Sequence, residues 1–84
     1  MRIVIGPVLR CADGYRFDTW TAGKGVTPGY PYRRIEDARY ARNFEISASA
    51  QDCTPIAIVC QTLDEFIAES TGANVAGYEM LAAA

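Results

Sequence analysis

The sequence predicts a small α+β domain with its elements in the order β-β-α-β, followed by a second helix. Three patterns carry this prediction: a hairpin over residues 2–22, an amphipathic stripe over residues 34–45 and an apolar run over residues 55–61. We expect the hairpin and the 55–61 strand to form one antiparallel sheet, with the 34–45 helix on one face. A chain of 84 residues has material for one core only, so residues 1–84 are expected to form a single domain.

The hairpin is predicted from two strand-like segments, residues 2–10 and 15–22, around the turn Ala12-Asp13-Gly14. Gly14 stands where a three-residue hairpin loop requires a positive φ. The resulting register, with strand alternation, places one set of side chains on the core face. This set is Ile3, Ile5, Leu9, Tyr15 and Phe17.

The same register has a consequence on the other face of the hairpin, where Arg10 lies opposite Arg16. Like charges directly across an antiparallel pair repel each other, so this position needs an anion. Asp18, a distant carboxylate of the chain or a ligand could each supply it. Trp20 lies on this face too, and it is either an interface anchor or a side chain that packs over Gly6 beneath the C-terminal helix.

Residues 23–32 contain three glycines and two prolines, which predicts a loop. The following segment, residues 34–45, predicts a helix with acidic residues in its first turn. Its apolar stripe is expected on the core side of the hairpin, with Arg39 and Arg42 on the solvent side. The stripe consists of Ile35, Ala38, Ala41, Phe44 and Ala48.

The run at residues 55–61 is rich in β-branched residues without alternation, which is typical of a strand buried on both faces. Thr62 to Glu65 has the spacing of a capping box, so a second helix over residues 63–71 is predicted, with Gly72 as its C-cap. A strand through Phe66 is the alternative. Residues 73–84 are expected to form a C-terminal tail whose apolar spacing fits a short helix.

The composition argues against catalysis, because the chain has no histidine to act as a base or metal ligand. Three cysteines without a C-x-x-C pair indicate free thiols rather than a disulfide framework or a zinc site. Cys60 reads as a core residue, and Cys11 near two arginines is the one candidate for a reactive thiol. We therefore expect no enzyme, no cofactor and no metal. The short apolar start and the lack of a run of about 20 apolar residues predict a cytoplasmic protein without a membrane span.

Charge is distributed unevenly along the chain. Residues 1–42 hold all eight basic residues and four acids, a net charge of +4, whereas residues 43–84 hold six acids and no base, a net charge of −6. The two halves either neutralise each other in the fold or leave a basic surface for an anionic partner.

These observations favour a small, acidic, non-catalytic module that binds another protein or itself as a homodimer. A phage or mobile-element inhibitor or regulator of a host protein is one form of this function. The alternative is a nucleic-acid-binding module that uses arginine and aromatic side chains of the N-terminal half. Self-association is expected through the sheet face with Val4, Val8 and Trp20, or through a strand edge. The candidate partner-binding residues are Arg10, Arg16, Trp20, Tyr30, Tyr32, Arg33, Arg34, Arg39 and Arg42.

Overall fold

A mixed β-sheet packed by two helices forms the fold. The computed structural model describes residues 2–52, 56–70 and 82–83. The elements are β1 (Arg2–Cys11), β2 (Gly14–Thr21), β3 (Gly25–Thr27), α1 (Ile35–Asp52), β4 (Ile56–Val59), α2 (Leu63–Glu69) and β5 (Ala82–Ala83). The strand order is β3-β2-β1-β4, and β5 also pairs with β1. The predicted α+β class and element order are confirmed.

The sheet differs from the expectation in one strand direction, because β4 runs parallel to β1. The chain reaches β4 through α1, and a connection through a helix returns the chain in the same direction. The sheet is therefore mixed rather than antiparallel throughout. Among the described residues, no helix has the length and apolar character needed to cross a membrane.

The hairpin turn is one residue shorter than predicted. Gly14 has a φ of +134°, so its predicted positive φ is confirmed. However, Gly14 pairs directly with Cys11, and only Ala12 and Asp13 lie between the strands.

This shorter turn moves the register of the hairpin by one residue. Leu9 pairs with Arg16 instead of Phe17, and Arg10 pairs with Tyr15 instead of Arg16. The predicted opposition of two arginines is therefore wrong. A shift of one residue also moves the side chains of one strand to the opposite face of the sheet relative to those of its partner strand.

A β-bulge in β1 changes the register a second time. Gly6 and Pro7 together lie opposite Asp18, between regular pairs on either side. A bulge suits Pro7, which has no N–H to donate to the ladder, and Gly6, which allows close approach. Because the bulge adds one residue, Val4 and Leu9 join the same buried cluster although they are an odd number of residues apart. The predicted core set is consequently divided between the two faces.

The face under α2 holds the buried cluster. Phe66 of α2 lies against Gly6, where an added Cβ would be only 3.0 Å from the ring. Phe66 therefore occupies the place over Gly6 that one of the two alternatives assigned to Trp20. The cluster consists of Val4, Leu9, Cys60 and Phe66, with Trp20, Val26, Ile58, Leu63 and Ile67 packed against it.

The other face is covered by α1, which is longer than predicted and is rotated. It continues seven residues beyond the predicted end at residue 45. Ala38 and Ser49 are buried and Arg42 is half-buried, whereas Phe44 and Ala48 of the predicted stripe are exposed. The fully buried residues of the helix are therefore small, and Arg42 points inward instead of toward solvent.

The N-terminus of α2 follows the prediction. Thr62 Oγ1 accepts a hydrogen bond from Glu65 N at 3.1 Å, which caps the first turn, and the alternative strand through Phe66 is wrong. The helix ends at Glu69, two residues earlier than expected. The predicted C-cap Gly72 lies outside the described residues. So does most of the predicted tail helix, although Ala82–Ala83 forms a strand.

The segment between β2 and α1 is more ordered than the predicted loop. Gly25–Thr27 forms β3 on the edge of β2. Farther along, Tyr32 and Tyr15 exchange two backbone hydrogen bonds of 2.7 Å. Residues 28–31 are therefore held at both ends along the outer edge of β2.

Ion pairs connect the basic half of the chain, residues 1–42, to the acidic half, residues 43–84, only in part. Arg2 of β1 pairs with Glu69 of α2, which links the basic and acidic halves. Arg16 instead pairs with Asp18 on its own strand, with 3.1 Å between Nε and Oδ1. Of the anions considered for these arginines, Asp18 is therefore the one found, and no described carboxylate of the C-terminal half pairs with Arg10 or Arg16.

Candidate functional site

A groove lined by aromatic side chains runs between α1 and the segment after β3. Its volume is about 480 Å³, and β2 forms its floor. We call it the aromatic groove and define it by its five aromatic residues. These are Phe17, Tyr30, Tyr32, Tyr40 and Phe44.

The first wall of the groove, residues 28–32, is held close to the backbone of β2. Gly29 N donates a hydrogen bond to Asp18 Oδ1 at 3.0 Å. A Cβ at Gly29 would overlap the carbonyl oxygen of Phe17, so only glycine lets the chain approach this closely. The rings of Tyr30 and Tyr32 form an edge-to-face pair with 5.2 Å between centroids. This wall is therefore built in advance of any partner.

The second wall is the outward side of α1. Tyr40 and Phe44 are one helical turn apart and are 75% and 66% exposed. Their orientation follows from Arg42, which lies between them in sequence and therefore points to the opposite side of the helix. Residues that share the face of Arg42 meet the sheet, and the two aromatic rings are turned away from it.

Arg42 holds α1 on the sheet through two backbone carbonyls. Its Nε donates to Gly6 O at 2.7 Å, and its Nη2 donates to Cys60 O at 2.6 Å. Gly6 belongs to the bulge of β1 and Cys60 follows the end of β4, so one guanidinium joins three elements. Burial lowers the pKa of Arg42, yet a guanidinium stays charged at neutral pH.

Charge around the groove is sparse. Glu45 is the one charged side chain that lines it. Arg33 and Arg34 are exposed just after the first wall, and Arg34 Nε lies 3.4 Å from Glu36 Oε2. A hydrogen bond from its own backbone, together with Arg34, lowers the pKa of Glu36. Neither Arg33 nor Glu45 has an ion-pair partner within the described part of the chain.

The structure brings together only some of the residues proposed from sequence. Tyr30 and Tyr32 line the groove, and Arg33 and Arg34 follow directly after it. Arg16 and Trp20 belong to the face under α2, and Trp20 is half-buried against the cluster there.

The remaining arginines of the proposed set lie elsewhere. Arg10 is exposed near the hairpin turn, and Arg39 is exposed on the flank of α1 beside Pro7 and Gln61. Arg42 donates inward to backbone carbonyls. The set proposed from sequence is therefore spread over several surfaces.

Sequence reasoning missed the helix wall of the groove. The sequence pattern predicts Phe44 in the core and gives Tyr40 no role. The available signal was the spacing of Tyr40 and Phe44, an aromatic pair at i and i+4 on a helix of few apolar residues. Phe17 was assigned to the core and is instead half-buried on the floor of the groove.

The thiols that the structure describes, Cys11 and Cys60, lie outside the groove. Burial raises the pKa of Cys60, and the nearby Glu65 and Glu69 raise it further, so the thiol is protonated at neutral pH. Cys11 Sγ donates to Gly14 O at 3.2 Å. No group of three potential metal ligands occurs among the described residues.

Comparisons of the chain with protein-family models, with characterised proteins and with solved structures find no match.

Proposed function

We propose that this chain is a small non-catalytic module that binds a protein partner through the aromatic groove. One observation carries the proposal. The exposed large hydrophobic side chains of the described residues are Tyr30, Tyr40 and Phe44, and all three line the same groove.

The exposed aromatic side chains are concentrated in one groove, and this supports the binding of a protein partner there. Single exposed apolar residues are ordinary, but a contiguous patch on a small domain marks an interaction surface. Tyrosine and phenylalanine are enriched in protein interfaces because a large ring orders only two side-chain torsions when it is buried. The groove walls are also held by hydrogen bonds to the sheet, which lowers the entropic cost of binding.

The polar groups of the groove favour binding over catalysis. Glu45 is its one charged lining residue, and no second titratable group of opposite role is paired with it. A chain of 84 residues that acts by covering a surface of another protein fits the role of a regulator or inhibitor. Three cysteines without a pairing pattern fit the reducing conditions of the cytoplasm, which is the location we propose.

A nucleic-acid-binding module is the second candidate, and one specific observation favours it. The Tyr30–Tyr32 ring pair lies next to Arg33 and Arg34 in the chain, a combination that can stack bases and contact phosphates. The acid in the groove and the net charge of −2 weigh against it. A labelled single-stranded oligonucleotide distinguishes the two, because phosphate contacts weaken steeply as salt increases.

The proposal can be tested by photo-crosslinking in cells that naturally produce the chain. A benzophenone amino acid replaces the exposed Tyr40, and a matched control carries it at the exposed Asp64 of α2. We expect a protein adduct from position 40 that position 64 does not give. Absence of any protein adduct at position 40, or the same adducts at both positions, would contradict the proposed function.

A further inference from the structure

A second cavity, of about 280 Å³, lies on the flank of α1 away from the aromatic groove. Pro7 and Val8 of β1 form its floor. Val8 was expected on a surface for self-association, and it is instead buried within the chain. We call this cavity the arginine pocket and define it by its four polar side chains. These are Arg39, Arg42, Asn43 and Gln61.

Two separate segments of the chain build the polar wall of the pocket. Arg39 and Arg42 are three residues apart on α1 and are therefore neighbours on its surface. Gln61 comes from the connection between β4 and α2. Arg42 holds the two segments together, because its Nη2 donates to the carbonyl of Cys60, the residue before Gln61. The pocket is therefore formed without a ligand.

Every polar side chain that lines the pocket is able to donate hydrogen bonds. A guanidinium has five N–H groups and accepts none. Arg42 uses two of its nitrogens on the carbonyls of Gly6 and Cys60, so its remaining N–H groups stay available to another acceptor. The amides of Asn43 and Gln61 add further donors, and no carboxylate lines the cavity.

The two positive charges of the pocket lack counter-ions. Within residues 2–52, 56–70 and 82–83, the arginines that form ion pairs are Arg2, Arg16 and Arg34. Arg39 and Arg42 are not among them, although like charges three residues apart on a helix repel each other. Arg42 is also half-buried, and burial without a nearby anion lowers its pKa.

The acids closest to the pocket in the chain are already engaged. Glu36 lies one turn before Arg39, and its carboxylate is 3.4 Å from Arg34 Nε. Glu65 accepts a hydrogen bond from the backbone nitrogen of Gln61 at 3.3 Å. Both carboxylates are exposed, and neither lines the pocket. The pocket therefore presents a positive, donor-rich surface.

We propose that the arginine pocket binds a phosphate group, carried either by inorganic phosphate or by a phosphate monoester. A cleft of one sign of charge over an apolar floor concentrates its electric field and attracts a counter-ion. Arginine pairs with phosphate through parallel N–H groups. The site is separate from the aromatic groove, so this inference goes beyond the proposed function and does not rest on it.

Phosphate fits the pocket better than a carboxylate does. A carboxylate presents two oxygens in one plane, whereas a phosphate group presents three or more in different directions. The donors of the pocket also come from different directions, since they belong to α1 and to the segment before α2. The cavity is several times the roughly 30 Å³ of one water molecule, which leaves room for part of an organic group beside the phosphate.

Titration of the ¹⁵N-labelled chain with sodium phosphate, followed by NMR, tests the site. Sodium chloride keeps the ionic strength constant, so that general screening does not change. We expect saturable shifts of the side-chain signals of Arg39, Arg42 and Gln61, with a dissociation constant in the millimolar range. Equal shifts of the exposed Arg10 and Arg33, or no saturation up to about 50 mM, would overturn the proposal.

Variants with the same change of charge separate a built site from general attraction. Arg39→Gln should raise the dissociation constant at least about fivefold, and Arg39→Lys should recover only part of the loss. Arg33→Gln, the matched control, should leave the constant within about twofold, because exposed charges away from the site are screened. Both arginines are exposed, so folding is preserved, and circular dichroism verifies it. Equal effects of Arg39→Gln and Arg33→Gln would contradict a site at Arg39.

Two further probes identify the ligand class. Phenyl phosphate that binds several-fold tighter than inorganic phosphate identifies a monoester as the ligand, and equal affinities identify inorganic phosphate. Both results support the site. Acetate that binds as tightly as phosphate would overturn the assignment to phosphate. The photo-crosslinking test of the aromatic groove is independent of all these outcomes.

Discussion

The two faces of the sheet are covered by helices in opposite ways. On one face, the seven residues of α2 bury Phe66 almost completely against Val4, Leu9 and Cys60. On the other face, the eighteen residues of α1 bury Ala38 and Ser49 and leave Phe44 exposed. The shorter helix therefore buries a large apolar side chain almost completely, whereas the apolar residue that α1 fully buries is a small alanine.

The difference shows that a helix can be attached by polar contacts and keep its apolar residues for another purpose. α2 is held by the hydrophobic effect, because its large side chain lies under the sheet. α1 has a polar attachment to the sheet in Arg42, whose guanidinium donates to the carbonyls of Gly6 and Cys60. Since this arginine takes the sheet-facing position, Tyr40 and Phe44 are directed outward, where they form one wall of the groove.

The largest expected effect comes from replacing one phenylalanine by alanine on each face of the sheet and comparing the two losses of stability. Phe66→Ala removes a ring that is 1% exposed and should lower the free energy of unfolding by about 3–5 kcal/mol. Phe44→Ala removes a ring that is 66% exposed and should change it by no more than about 0.5 kcal/mol. Urea denaturation followed by circular dichroism measures both.

Equal losses of stability in Phe66→Ala and Phe44→Ala would contradict the proposed difference between the two faces. In that case Phe44 would be part of a core, and the groove would not be a free surface. The measurement is made at the lowest usable protein concentration, so that self-association does not contribute to the apparent stability of the wild type.

The next effect concerns the polar attachment of α1. Arg42→Ala leaves two carbonyls without their donors and should cost about 2–3 kcal/mol, the range for hydrogen bonds from a charged group. Arg42→Lys should recover only part of this, because one ammonium does not reproduce the two-pronged geometry of a guanidinium. Arg39→Ala is the matched control on the same helix and should cost no more than about 0.5 kcal/mol. Similar costs at both positions would show that α1 does not depend on Arg42.

Local patterns in the sequence predicted the elements of the fold well. Thr62 was recognised as the cap of α2, and its hydroxyl does accept the expected hydrogen bond. The positive φ of Gly14 followed from turn chemistry. These features depend on residues within one turn of each other, so the sequence contains all the necessary information.

Features that depend on contacts between distant residues were not predicted. The bulge at Gly6 and Pro7 exchanges the faces of β1. A glycine followed by a proline inside a strand is a local signal for a bulge, but the prediction of a regular strand did not use it. The rotation of α1 follows from contacts of Arg42 with β1 and β4, which are far away in the sequence. The helix wall of the candidate site depends on this rotation and was therefore missed. The loop wall follows from residues close together in the sequence and was recognised.

The smallest expected effect comes from the ionisation of Cys60, which tests whether water is excluded from the face under α2. Burial raises the pKa of this thiol, as do Glu65 and Glu69 on α2, while Arg42 and Arg2 oppose the shift. In the unfolded chain a thiol ionises near pH 8.5, about its ordinary value. Between that pH and the higher pKa of the folded state, only the unfolded chain has lost the proton.

The free energy of unfolding should therefore decrease as the pH rises through this alkaline range, and the contribution of the thiol should be fully present below it. Urea denaturation of wild type and Cys60→Ala from about pH 7 to about pH 10 measures the effect as the difference between the two curves. Tyrosines and the other cysteines ionise in both proteins and cancel in that difference. Parallel curves would mean that water reaches Cys60 beside Phe66, and the contrast between a dry α2 face and an open α1 face would then be lost.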